Sequence, residues 1–151
     1  MTEMAADQDQ QVRLFIFRRA ADTGQVPTVP QIAERLNLSP VDVEASLTRL
    51  AAGRVLILPP GTTNIWVADP FCAVPTAFRV TARRRTYFGI CIWDALGIPA
   101  ALGANATVET TCGDCGAPMT LEIRNGLLAV GEGVIHFGVP AARWWDNIAY
   151  T

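Results

Sequence analysis

The sequence predicts an α+β fold: a winged-helix-like N-terminal unit of three helices with a β-hairpin, followed by a small mixed β-sheet core with short helices. Three observations predict it. Apolar residues recur at helical spacing as far as about residue 50, with Ser39-Pro40 as a start signal inside that stretch. Two short β-type runs then flank Pro59-Pro60-Gly61. Beyond Asp69-Pro70 the apolar runs shorten and are separated by Gly, Pro and Asn, which suits a sheet. The change of texture divides the chain into residues 1–70 and 71–151.

The elements follow in order. Residues 11–22 place Val12, Phe15, Ile16 and Arg19 one helical turn apart, and Thr23-Gly24 with Pro27 ends that helix. Two helices around a short turn come next, with Ile32, Ala33 and Leu36 on one face and Val43, Leu47 and Leu50 on the other element's face. Ser39 can cap free N–H groups, and Pro40 is preset for a first turn. Residues 54–58 and 64–68 read as the two strands of a hairpin. In the second half, 78–81, 108–110, 119–123, 127–130 and 134–139 read as strands, and the Asn125-Gly126 turn joins the third and fourth of these. A short helix is expected over 92–96. Another, AARWWDNIAY, is opened by Pro140. No repeat or low-complexity tract is visible.

Composition excludes several classes. The net charge of −2, with only 17% charged residues, gives no field like that of a nucleic-acid binder. The expected recognition helix, 40–50, carries Asp42 and Glu44 against a single Arg49, so it is read as a packing module covering a site rather than a DNA reader. The start MTEMAADQDQQ lacks the basic and apolar regions of a secretory leader, and no apolar run approaches membrane-spanning length. A cytoplasmic monomer or homodimer is expected, with no membrane and no nucleic-acid partner. In a reducing compartment the four cysteines, Cys72, Cys91, Cys112 and Cys115, read as thiols, metal ligands or catalytic groups rather than disulfides.

The densest chemistry lies in residues 87–123, YFGICIWDALGIPAALGANATVETTCGDCGAPMTLEI. Cys91 and Asp94 form a Cys-x-x-Asp motif at a strand-to-helix junction. Cys112 follows within a segment ending Gly116-Ala117-Pro118, and His136-Phe137, Val139-Pro140 and Trp144 come after it. In this order and spacing the stretch from Tyr87 to Trp145 resembles the organomercurial (alkylmercury) lyase family. The resemblance implies a sheet core as in those lyases. It also implies cleavage of a carbon–mercury bond by protonolysis, with Cys91 binding mercury and Asp94 carrying the proton to the departing carbon. No cofactor is implied: mercury is part of substrate and product, an exogenous small thiol can assist, and mercuric reductase is the implied partner.

Physical chemistry fits that assignment. Mercury is soft and takes thiolate, while the leaving carbanion needs an acid nearby. Residues three apart share a helical face, and a cysteine at a helix N-terminus has its thiolate favoured by free N–H groups. Spacing alone equally fits Cys91 as a buried small apolar residue and Asp94 as a surface carboxylate. The family pattern also carries a second catalytic cysteine just before the strand expected here at 134–139, and Glu132 or Gly133 occupies that place. Cys115, a small thiol, or a cysteine beyond Thr151 are the substitutes open to the sequence.

Other readings stay open. Cys112-Gly113-Asp114-Cys115-Gly116 is a Cys-x-x-Cys knuckle, half of a zinc site that His136 and Cys91 complete only if the fold gathers them, and the resemblance makes Cys112 structural instead. A noncatalytic protein could hold a soft metal on Cys91 with Cys112 and Cys115, or use its winged helix in regulation. A lyase-fold enzyme for a non-mercury substrate would use Glu132 as acid or base. Cys72 reads as core and His136 as a satisfied structural residue. Arg83-Arg84-Arg85 reads as a basic patch, and Trp144-Trp145 as a core anchor with one ring free to line a pocket.

Overall fold

A computed structural model describes residues 3–148. The first helix, α1 (Glu3–Thr23), starts earlier than the apolar spacing predicts. Its interior stripe is Val12, Ile16 and Ala20, all fully buried. Asp9, one turn before Val12, forms a two-pronged ion pair with Arg49 at 2.7 and 2.8 Å, joined by buried Ser46. That network fixes α1 against α3 (Pro40–Ala52), where Ser39 caps the helix by accepting from the Asp42 N–H at 3.1 Å. Between them α2 (Val29–Leu36) ends at Asn37 in the left-handed conformation. Ile32, Val43, Leu47, Leu50 and Leu56 close this first apolar cluster.

The hairpin expected at 54–58 and 64–68 is reduced to one antiparallel bridge, Ile57 to Val67. Pro59 and Pro60 donate no N–H groups, so pairing cannot extend toward the turn. Val67 instead continues into a two-residue strand, β1 (Val67–Ala68), paired with β2 (Phe71–Cys72) across a turn made by Asp69-Pro70, whose peptide is cis.

The main sheet contains β3 (Phe78–Ala82), β4 (Arg85–Gly89), β5 (Ala106–Thr111), β6 (Pro118–Arg124) and β7 (Leu127–Val130), in the order β4-β3-β5-β6-β7. Every pairing is antiparallel, where a mixed sheet was expected. Arg83 and Arg84, read as a basic patch, are the tight turn of the β3–β4 hairpin, at φ of 48° and 63°. Helix α4 (Ile92–Leu102) runs past the expected end at Leu96, keeps Pro99 in its interior, and stops at left-handed Gly103. It buries Ala95, Ile98 and Leu102 against Val80, Tyr87, Val108, Leu121 and Ile123.

Helix α1 belongs to both clusters, because its last turn brings Ala20 into the sheet core. The Tyr87 hydroxyl donates to the Ala21 carbonyl at 2.8 Å. Gly24, at φ +75°, lets the chain pass so close to β4 that a Cβ there would clash with the Thr86 carbonyl oxygen.

Residues 134–139 do not form the expected strand. Gly131 and Gly133 take φ values of 146° and 120°, which turn the chain off the sheet, and Phe137 packs on Trp93 and Trp144 instead. The expected closing helix is a 3₁₀ helix, Ala141–Asp146, with no buried residues, and residues 149–150 of that prediction lie outside the described part. Among the described residues no helix is long and apolar enough to cross a membrane.

Candidate active site

Strand β4 ends at Gly89, and two residues later Cys91 is the N-cap of α4. The approach is close: a Cβ on Gly89 would come within 2.7 Å of the Ala95 nitrogen and 3.0 Å of the Asp94 Cβ. The Gly89 carbonyl accepts from the Thr76 hydroxyl at 2.5 Å. The first turn of α4 is thereby pressed onto the sheet end, which turns Asp94 inward. Asp94 is only 6% exposed, so the surface-carboxylate reading is corrected. Its Oδ2 accepts from the Ile90 N–H at 3.2 Å and from the Cys91 thiol at 3.8 Å.

Burial raises the Asp94 carboxyl to about 7, and Asp69 adds to the shift by its like charge and by side-chain hydrogen bonding. Asp69 reaches this position from the β1–β2 turn, because Pro70 packs against the bare backbone of Gly97, one turn along α4. Burial also pushes the Cys91 thiol above its ordinary value. The N–H groups of Asp94 and Trp93 favour the thiolate, but desolvation outweighs them, against the expectation that the helix terminus sets the balance. At rest Cys91 is therefore a thiol beside a buried carboxyl group whose own proton is held more tightly than in an ordinary carboxyl.

These groups open onto a pocket of about 100 Å³. Arg54, Val55, Ile57, Val67 and Asp69 line it from the N-terminal half, and Ile90, Cys91, Trp93 and Asp94 form its floor. Phe137, Trp144, Trp145 and Ile148 wall it from the C-terminal segment. Trp93, Phe137 and Trp144 form an aromatic trio with centroid separations of 5.0 to 6.5 Å. The Trp144 indole N–H donates to the Val139 carbonyl at 2.8 Å, and the Arg54 guanidinium sits 5.4 Å over the Trp145 ring. Both tryptophans thus line the pocket, and Trp145, 40% exposed, is no core anchor.

The remaining candidates lie elsewhere. Cys72 is buried on β2 as expected, with its thiol pushed up by burial. Cys112 and Cys115 sit on the β5–β6 connection, outside the pocket lining, where backbone N–H groups of Cys115 and Asp114 hold the Cys112 thiol below its ordinary value. Among the described residues no group of three or more His, Cys, Asp or Glu side chains is gathered as for a metal ion, so Cys91, Cys112, Cys115 and His136 do not converge. Glu132 and His136 are exposed and do not line the pocket. Sequence reasoning missed Asp69, Arg54, Trp93 and Phe137 as pocket residues. Asp69-Pro70 reads in the sequence only as a boundary, and nothing local ties it to Asp94.

No curated protein matches the chain. A solved structure described as the mercury-bound form of MerB2 shares its fold, with a TM-score of 0.64 at 23% identity, covering 87% of this chain and 61% of that one. The chain therefore spans less than two thirds of that relative's length. The family model of alkylmercury lyase, MerB, matches residues 71–151, more than half of the sequence, and includes Cys91 and Asp94 but not the pocket residues Arg54 to Asp69. On that match, the chain belongs to the alkylmercury lyase family.

Proposed function

We propose that the protein cleaves carbon–mercury bonds by protonolysis, with Cys91 and Asp94 as the catalytic pair. The observation that carries this reading is the Cys91 thiol 3.8 Å from a buried carboxyl group, inside an aromatic-walled pocket. Asp94 takes the thiol proton, and the sulfur bonds to mercury of the organomercurial as the anion or small thiolate that mercury carried leaves to solvent. Asp94 then gives that proton to the carbon as the carbon–mercury bond breaks, releasing hydrocarbon and leaving mercury on the Cys91 sulfur. A carboxyl titrating near 7 suits both transfers, since acceptor and donor forms are each populated at neutral pH. Apolar walls suit the organic group and keep water from competing for the proton.

The pocket offers a single thiol, so a small exogenous thiol is the second sulfur that carries mercury away, toward a mercuric reductase if one is present. The same single thiol favours a second reading, in which the protein retains the metal without turnover. Hydrocarbon released from a simple organomercurial, measured in the headspace with excess thiol, decides between them. Release by wild type and none by Cys91→Ser is expected. Release by both variants would refute the mechanism, and mercury retention without release would establish the noncatalytic reading.

A further inference from the structure

The β5–β6 connection holds the other solvent-accessible thiols. The last ladder pair is Thr111 with Pro118, and the loop between them is closed by the Cys112 N–H on the Ala117 carbonyl at 2.8 Å and the Gly116 N–H on the Cys112 carbonyl at 2.9 Å. Gly116 takes φ of 71°, which folds the loop back on itself. Within this closed loop Cys115 follows Cys112 by three residues, and the two side chains are near enough to interact. Both cysteines are free; Cys112 is half-buried and Cys115 exposed. A built cradle thus presents two sulfurs side by side at the surface.

The number of donors selects the ligand. Structural zinc takes four ligands in a tetrahedron, and no third His, Cys, Asp or Glu joins this pair among the described residues. Hard cations need oxygen cages. A soft d¹⁰ ion satisfied by two thiolates is what the pair fits. We propose that Cys112 and Cys115 form a second metal site, apart from the Cys91 pocket, that binds one mercuric ion as a bis-thiolate. One Hg²⁺ and two thiols give the bis-thiolate and two protons released to water, without electron transfer. That mercury is the ion encountered rests on the lyase reading; the two-thiolate chemistry does not. The site gives the metal a two-sulfur destination on the chain whose pocket supplies one.

The test uses the reduced Cys91→Ser protein, which has no pocket thiol: protons released are read on adding mercuric chloride alone, and retention is read after an excess of a competing monothiol is then added. Metal per chain after dialysis, protons released and elution volume are measured. One ion per chain, two protons and an unchanged elution volume are expected. Adding Cys112→Ser or Cys115→Ser should weaken retention on the order of 100-fold, the loss when two tethered ligands become one. Cys115 is exposed, so its substitution disturbs no packing and circular dichroism checks the fold of both variants. Retention surviving either substitution, one ion shared by two chains, or zinc held as well as mercury would overturn the proposal. Hydrocarbon release is not read, so failure of the lyase reading leaves this result intact.

Discussion

Asp69, on the β1–β2 turn, stands against Asp94 in the first turn of α4 within hydrogen-bonding reach. Two carboxyl groups so placed compete for one proton, and the buried one keeps it to higher pH. Asp94 is buried and Asp69 exposed, so Asp94 is the group raised to about 7. Around the pair, the other titratable and charged groups among the described residues are Cys91 at the N-cap of α4, Cys72 on β2, and Arg54 in the segment after α3.

Asp69→Asn replaces a like charge with an amide that can donate to Asp94, so the Asp94 midpoint should fall toward the ordinary carboxylate range. In the proposed mechanism Asp94 must be ionised to accept the thiol proton, and the rate rises as pH passes its midpoint. The acid limb of the pH profile for hydrocarbon release should therefore move down by about one unit. Carboxyl-carbon NMR of labelled aspartate reads the same midpoint without turnover. A midpoint left in place in a folded variant would remove Asp69 from the account.

Asp94→Asn separates stability from function. Asp94 has a raised folded-state midpoint, about 7 against an ordinary value of 3.8, so its contribution is fully present below the unfolded value and is lost as pH rises toward 7. The loss is at most about 4 kcal/mol, from roughly three pKa units. The variant has no such loss. Its melting temperature should match wild type near pH 4 and exceed it at pH 8, while hydrocarbon release disappears. Equal melting temperatures at pH 8 would mean that burial does not penalise the charged Asp94.

The legibility of this chain followed the range of the physics. Local periodicity located all three N-terminal helices, and the Cys91-x-x-Asp94 spacing put Cys91 at the N-cap and Asp94 on the first turn of α4. Asn125-Gly126 marked the β6–β7 hairpin, because that pair favours positive φ; Arg83-Arg84 makes the equivalent turn between β3 and β4 with residues that give no such signal. The strand expected at 134–139 failed for a different reason. Its apolar residues suit a strand, but Phe137 is taken up by the aromatic trio, a contact set by Trp93 far back in the chain. Asp69 was invisible likewise: its role depends on Pro70 meeting Gly97.

Gly89→Ala tests how tightly the turn that carries Cys91 and Asp94 is held. The added methyl would sit 2.7 Å from the Ala95 nitrogen, a backbone atom that cannot swing aside, so the start of α4 must move. Overpacking of this kind costs about 1–3 kcal/mol. A shift of about 1 Å at the reacting groups can cost on the order of 100-fold in rate. A modestly lowered melting temperature with a far larger loss of hydrocarbon release is expected. Loss of both in proportion would show only a destabilised fold.

Trp144→Ala removes one side of the trio, whose rings lie 5.0 Å from Phe137 and 6.1 Å from Trp93, and whose indole N–H ties the last helix to the Val139 carbonyl. The Cys91 to Asp94 contact rests on Gly89 and the Ile90 N–H, not on this wall, so the chemistry should survive the substitution. Binding of the organic group should suffer, because an aromatic contact contributes about 0.5–1.5 kcal/mol beyond the area it buries. KM for an aryl mercurial should therefore rise by about threefold to tenfold with kcat little changed, and KM for methylmercury should rise less, since a methyl group cannot reach across the rings. An equal loss in kcat for both substrates would instead place the tryptophan in the support of the catalytic turn.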